Sequence, residues 1–205
     1  IYFSMLDAPN NVLMITGAAP EAGKSFISAN LAAVMAQSGK RVLLIDTDMR
    51  KGYLDRLFGL TPEFGLSDIL SGKAAPAKAV QETGIENLHL ISSGSYPSIP
   101  SELLMDNRFN ELLAHARQRY DYVILDTPPV LAVTDAVIIG QHAGTVLMIS
   151  RYAHTRAREL EASVERLKQN HINIKGVVLN GMKREANNSY DYYAYDAYHS
   201  GNNKS

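Results

Sequence analysis

The 205-residue chain predicts an α/β fold, a doubly wound, mainly parallel sheet with helices on both faces. Three observations carry this. Apolar, β-rich runs recur along the chain, and most are continuous rather than alternating, as strands buried on both faces require. Segments of helical period separate them. The first run also ends in GAAPEAGKS, a glycine-containing turn that opens the first helical segment.

Taken in order, Val12–Thr16 reads as the first strand and Lys24–Gln37 as the helix after the glycine turn. Arg41–Asp46 is the second strand and ends on a carboxylate. The stretch Lys51–Ala79, punctuated by Gly52, Gly59, Gly65 and Gly72, holds only the short amphipathic pieces YLDRLFG and GLSDILSG, so an irregular cover over one sheet edge is expected. Leu88–Ser92 is the third strand. A helical pattern then runs over Ser101–Arg119, with Leu103, Leu104, Phe109, Leu112 and Leu113 as its apolar positions. Tyr122–Asp126 and Thr145–Ser150 are strands, Thr155–Gln169 is a helix carrying Leu160, Val164 and Leu167, and Lys175–Asn180 is the last strand. No internal repeat interrupts the series.

Nearly half of the residues are hydrophobic (46%), enough at this length for one well-buried domain and too few residues for two ordinary ones. The expected division is residues 1–184 as the domain and 185–205 as a flexible tail. That tail contains Tyr190, Tyr192, Tyr193, Tyr195 and Tyr198, separated by Asp and Ala and flanked by Asn, Ser and Gly, with no large aliphatic residue to bury and no strand or helix period. With a net charge of −1 and basic residues spread along the chain, nothing marks a nucleic-acid surface. The absence of cysteine excludes disulfides and cysteine-ligated zinc or iron–sulfur centres, and fits a reducing compartment. The histidines have no ligand spacing, and no run approaches the roughly 20 apolar residues of a membrane-spanning helix. Beginning at Ile1 without methionine, the chain is expected to be cut from a longer protein.

The parallel sheet places ligands beyond the carboxyl ends of its strands, and three motifs fall there. In GAAPEAGKS, successive backbone N–H groups and the start of the Lys24 helix face phosphate oxygens, Lys24 reaches the β/γ oxygens, and the Ser25 hydroxyl is a Mg²⁺ ligand. The spacing departs from the usual loop, because Ala18 stands at the first glycine position and Gly17 one place early. The second motif, VLLIDTDMRKG, ends the second strand on Asp46 and Asp48, with Arg50 following. The third, YVILDTPP, ends another on Asp126. A lone strand-end Asp is usually a cap or turn residue. Carboxylates at the tips of apolar strands are costly to bury unpaired, and a phosphate loop beside them supplies Mg²⁺. Phosphoryl transfer needs positioning, the metal, Lys24 and an acidic group at the acceptor oxygen, and the candidate base is Asp46 or Asp48. A phosphate donor site and a cluster of hydroxyl acceptors thus share one polypeptide.

GAAPEAGKS, LLIDTDMRKG and VILDTPP together resemble the Walker A, A-prime and B motifs of the bacterial tyrosine kinases, and SYPSIPSELL and the closing tyrosines match the same family. The resemblance covers nearly the whole chain. It implies a P-loop NTPase sheet and an ATP-dependent protein-tyrosine autokinase. In that family the domain lies on the cytoplasmic face of the bacterial inner membrane, joined in cis or trans to a transmembrane polysaccharide co-polymerase region. There it governs capsule or exopolysaccharide polymerisation and export, phosphorylates its own tail between subunits of a ring, and is reversed by a cognate tyrosine phosphatase. The resemblance puts Ala19, Pro20, Glu21, Ala22, Gly23, Lys24, Ser25 and Phe26 around ATP or ADP. It also puts Ser25, Asp46, Asp48 and Asp126 around Mg²⁺ and the acceptor, and Asn180 at the adenine. The five tail tyrosines become phosphoacceptors, with Tyr53 as an additional internal candidate; the alternative for Tyr53 is simple packing on a short helix.

Two departures shape the expectations. IYFSMLDAPNN lacks the Glu and two Arg of the family's ring-forming segment, so this fragment is expected to associate weakly. Ser93 stands where some relatives carry a basic residue that can meet a phosphorylated internal tyrosine, so tail modification is expected to outweigh regulation through Tyr53. The competing reading is a switch ATPase of the partitioning or septum-positioning class, which shares the sheet and the acidic motifs. Such proteins carry a second lysine early in the loop, where this chain has Ala19, and use a basic DNA surface or an amphipathic membrane helix that this tail does not offer. A third reading makes the tyrosines an aromatic binding patch on a non-catalytic nucleotide fold.

Overall fold

The computed structural model describes residues 7–182, so the tyrosine cluster and the proposed boundary at 184/185 lie outside the described residues. Seven strands form one sheet: β1 (Val12–Gly17), β2 (Val42–Asp46), β3 (Val80–Glu82), β4 (Leu88–Ile91), β5 (Tyr122–Asp126), β6 (Thr145–Arg151) and β7 (Ile174–Asn180). Their order is β3-β4-β2-β5-β1-β6-β7, and every pairing is parallel except the short edge pair of β3 with β4. All residues of β1 and β2 are buried, as their unbroken apolar runs predict. The edge strand β7 alternates between half-buried and exposed positions instead.

The helices are α1 (Lys24–Gln37), α2 (Leu54–Leu57), α3 (Leu66–Leu70), α4 (Pro76–Ala79), α5 (Pro100–Met105), α6 (Asn107–Arg119), α7 (Asp135–Gly140) and α8 (Ala157–Gln169). One face of the sheet packs against α1 and α2: Ala29, Ala32, Met35, Ala36 and Leu54 join Leu13, Ile15, Leu44, Ile124 and Ile149 in one buried cluster. Small side chains on α1 let its backbone lie close to the strands. On the other face, Leu66, Ile69, Leu104, Phe109, Leu113, Ile139 and Leu167 meet Met14, Leu43, Ile45, Leu125 and Met148. Helices thus cover both faces, as the sequence predicts.

Three local features differ from the expectation. The pattern over Ser101–Arg119 is two helices, because Asp106 adopts an extended conformation (φ −68°, ψ 145°) and its carboxylate accepts from the Arg108 N–H, capping α6 anew. The cover over the edge is more ordered than expected, with α2, α3 and α4 inside it. The antiparallel strand β3 and the helix α7 appear where no period was legible, each being six residues or fewer. Because β2, β5 and β1 are consecutive neighbours, the carboxyl ends bearing Asp46, Asp126 and the loop after Gly17 come together at one rim of the sheet.

Candidate active site

The phosphate loop is fixed by its neighbours. Gly17, the last residue of β1, lies beneath the aliphatic stem of Lys24: a Cβ there would stand 3.3 Å from Lys24 Cδ and 2.9 Å from the Ile149 carbonyl oxygen. The glycine one place early therefore supplies the close approach that the usual first glycine provides. Glu21 (φ 60°) and Gly23 (φ 89°) both take left-handed backbone, and a Cβ on Gly23 would overlap the Asn180 side chain. Two side chains from adjacent strand ends hold the loop from outside. Arg151 Nη1 donates to the Glu21 carbonyl (3.1 Å), and Asn180 Nδ2 donates to the Ala22 carbonyl (3.0 Å). Among the loop residues, Ala22 packs into the core beneath α1, Ala19 and Ser25 are half-buried, and Pro20, Glu21 and Phe26 are exposed.

Across the rim, the three carboxylates have different settings. Asp46 and Asp126 are register partners on β2 and β5, and both are buried. Asp46 Oδ1 accepts from the Asp48 N–H (3.1 Å), and Oδ2 accepts from the N–H groups of Tyr53 (2.9 Å) and Leu54 (3.1 Å), so this carboxylate ties down the loop and starts α2. Asp126 Oδ1 accepts from the Ser28 hydroxyl (2.8 Å), and the Ser25 hydroxyl also bonds to this carboxylate. Asp48 is half-buried; its Oδ1 caps the turn by accepting from the Arg50 (3.1 Å) and Lys51 (2.9 Å) N–H groups, and no described residue bonds to its Oδ2. The structure thus separates two residues that sequence leaves equivalent: Asp46 has both oxygens engaged, and Asp48 keeps one for a ligand.

Burial raises the Asp46 carboxyl above the usual range, with the Asp126 charge adding to it, and burial likewise raises Asp126. Burial also lowers the Lys24 ammonium, against the pull of Asp126, Asp48 and Asp46. Such a rim is short of positive charge. Among the described residues no three His, Cys, Asp or Glu side chains gather closely enough to cage a metal by themselves. The donor set of Ser25 and nearby carboxylates fits Mg²⁺, which usually takes one or two protein oxygens and completes its shell with water and phosphate.

Sequence reading missed the roles of four supporting side chains. Ser28 is one turn after Ser25 on the sheet-facing side of α1, a spacing that could have identified it. Thr47 donates both its N–H and its hydroxyl to the Asp126 carbonyl, joining the acidic motifs. Arg50 makes a bidentate pair with the buried Asp135, Nε to Oδ2 at 2.9 Å and Nη2 to Oδ1 at 3.2 Å, fastening the loop after β2 to α7. Arg151 is the fourth; no local motif announces it.

Comparisons with known proteins agree with this geometry. The AAA domain family matches residues 15–178. The chain is 54% identical over 198 residues to the tyrosine-protein kinase wzc of Salmonella typhimurium, covering 96% of this chain and 28% of that protein. It therefore spans little more than a quarter of that relative's length. The kinase domain of the Escherichia coli tyrosine kinase ETK superposes with a TM-score of 0.88 at 46% identity, over 92% of this chain and 74% of that one. The septum site-determining protein MinD of Pyrococcus horikoshii, solved with Mg-ADP, shares the fold with a TM-score of 0.73 at 21% identity, over 86% of this chain and 72% of that one. With nearly half of its aligned residues identical to a solved kinase domain over most of both chains, this chain belongs to the AAA domain family and, within it, to the bacterial tyrosine kinases.

Proposed function

We propose that the chain is the ATP-dependent catalytic domain of a protein-tyrosine autokinase whose acceptors are Tyr190, Tyr192, Tyr193, Tyr195 and Tyr198 of a neighbouring copy, with Tyr53 as an internal acceptor. The observation that carries this reading is Asp48, a half-buried carboxylate with one oxygen unclaimed, at the rim shared with Lys24 and the phosphate loop. The loop amides and Lys24 hold the β- and γ-phosphates. The tyrosine hydroxyl forms the new O–P bond, the bond from γ-phosphorus to the β-phosphate oxygen breaks, ADP leaves, and Asp48 takes the hydroxyl proton. Mg²⁺, held by Ser25 with Asp126 and Asp48 nearby, supplies charge neutralisation on the phosphates when bound. Asp46 acts by fixing the loop that carries Asp48. Asn180, with its amide nitrogen on the phosphate loop, has its Oδ1 for the adenine amino group.

In the whole protein this activity regulates capsule or exopolysaccharide polymerisation and export at the cytoplasmic face of the inner membrane. There the domain assembles as a ring attached to a transmembrane co-polymerase region and is reversed by a tyrosine phosphatase. No helix among the described residues is long and apolar enough to cross a membrane, which leaves attachment to other segments. The direct test is incubation with Mg-ATP followed by mass mapping of phosphotyrosine. Phosphate on residues 190–198 that is lost in Lys24→Met is the expected result. An unmodified chain that hydrolyses ATP would favour the switch-ATPase reading.

A further inference from the structure

We propose that Arg166 is a positioning residue for phosphoryl transfer: from α8 it clamps the loop after β5 against the end of β1, and so fixes the floor on which the Lys24 stem rests. This rests on the autokinase reading, in which Lys24 meets the β/γ oxygens, and names what holds that lysine in place from behind.

The loop after β5 begins Thr127-Pro128-Pro129-Val130 and runs along the end of β1 as a further set of rungs. The Thr127 N–H and hydroxyl both donate to the Ile15 carbonyl at 3.1 Å, and the Thr16 hydroxyl donates to the Pro128 carbonyl at 3.4 Å. The Val130 N–H donates to the Gly17 carbonyl at 2.9 Å. Gly17 is the residue beneath Lys24, where a Cβ would stand 3.3 Å from Cδ of that stem. One place further on, the Leu131 N–H donates to the Ala18 carbonyl at 3.4 Å. The two prolines fix φ at successive positions, so a shift at Val130 is passed on rather than absorbed.

Arg166 holds the other side of this loop. Its Nη1 donates to the Val130 carbonyl at 2.9 Å. Val130 is fully buried, and the peptide group that begins with its carbonyl also carries the Leu131 N–H that meets Ala18, so donation at one end strengthens the bond at the other. The donor is itself well placed. Leu160, Val164 and Leu167 seat α8 in the core, and the half-buried Arg166 forms no ion pair with a described carboxylate, so the Val130 carbonyl sets the aim of its guanidinium. The carbonyls of Glu21 and Ala22 are held separately, by Arg151 and Asn180. Loss of the Arg166 clamp should therefore spare the phosphate cradle and loosen the floor of Lys24. The ammonium then loses its aim at the γ-phosphate oxygens, and errors of position there are costly in the transition state.

The test pairs Arg166→Met, which keeps the aliphatic stem and removes the donors, with Arg166→Lys, which restores one. In full chains at saturating Mg-ATP, Arg166→Met should lower the maximal rate of tail phosphorylation about tenfold, and Arg166→Lys should recover most of it. Nucleotide binding gives a second measurement that needs no acceptor. The preference for Mg-β,γ-imido-ATP over Mg-ADP should fall about fivefold in Arg166→Met, with ADP affinity within about twofold of the parent. In a Lys24→Met chain, adding Arg166→Met should leave that preference within about twofold, because the residue acts through Lys24. A parental rate and preference in Arg166→Met overturns the positioning role. So does a lowered Tm with both nucleotide affinities reduced alike, or an equal loss of preference with and without Lys24. A parent that makes no phosphotyrosine overturns the autokinase reading, and the nucleotide preference still decides Arg166 by itself.

Discussion

The phosphate loop and the acidic loop face each other across one rim and are held by opposite means. The first is fixed by shape: left-handed Glu21 and Gly23, a glycine under the Lys24 stem, and two side chains that donate to its carbonyls. The second is fixed by charge, with Asp46 gathering three backbone N–H groups and Arg50 reaching Asp135. A loop held by sterics is formed before ligand arrives and is indifferent to pH. A loop held by carboxylates packed against another carboxylate is sensitive to protons and to cations. Perturbations of the acidic loop should therefore reach chemistry and stability, and those of the phosphate loop should reach nucleotide affinity.

The largest effect should come from Asp48→Asn. If Asp48 takes the acceptor proton, transfer to tail tyrosines should fall by about 10²–10⁴-fold, the usual worth of a general base. ADP affinity should change little, because the backbone cradle is untouched. Phosphotyrosine formation and ADP titration, measured on one preparation, separate the two. Near-parental transfer would remove Asp48 from the reaction and return the base to Asp46.

Next comes Arg50→Ala. Asp135 is fully buried, and Arg50 is the only cation paired with it among the described residues. Removing a partner from a fully buried pair costs about 3–5 kcal/mol. Since the Arg50 side chain is 39% exposed, a loss of about 2–3 kcal/mol is expected here. Denaturant unfolding measures it. Asp135→Asn in the same background should recover part of the loss by removing the stranded charge, and failure to recover would mean that Arg50 acts without Asp135.

Much of this was legible in the sequence because it is local. Continuous apolar runs marked six of the seven strands, and their terminal carboxylates marked the rim. Illegible features were those that no periodic pattern records. The break at Asp106 depends on whether its carboxylate caps the following helix or faces solvent, and an uninterrupted helical period cannot distinguish these. The antiparallel β3 is too short to show a period and exists because β4 offers an unpaired edge. Asp46 and Asp48 look alike in DTD. They diverge only when the chain folds back so that the Tyr53 and Leu54 amides reach Asp46. Arg50 and Asp135 are 85 residues apart, and nothing in either neighbourhood names the other.

A third, moderate effect concerns pH. Asp46 is pushed up to about 8 by burial and by Asp126, against 3.8 for an ordinary Asp. Between those values the folded chain binds more protons than the unfolded chain, so this contribution to stability is greatest at low pH and is lost as pH rises through the folded value. The ligand-free protein should accordingly show a Tm that declines between about pH 5 and pH 8.5. With Mg-ADP bound, a cation takes over the role of the proton at this rim, and the decline should flatten. Parallel Tm–pH curves with and without Mg-ADP would mean that the metal does not meet these carboxylates.

The smallest effect belongs to the phosphate loop and sharpens the contrast. Arg151 is exposed and contributes one bond, from its guanidinium to the Glu21 carbonyl at 3.1 Å, while Asn180 holds the next carbonyl independently. Losing a single bond of this kind costs about 1 kcal/mol, roughly fivefold in an equilibrium constant. Arg151→Ala should therefore weaken ADP binding about fivefold and leave global stability within about 0.5 kcal/mol, since surface changes rarely do more. The pH dependence of Tm should be unaltered, because no carboxylate of the acidic loop touches this side chain. Calorimetric titration with Mg-ADP reads the affinity and thermal unfolding reads the rest. A change in the pH profile, with affinity intact, would mean that the two loops are not held independently and that the phosphate loop also depends on the charges across the rim.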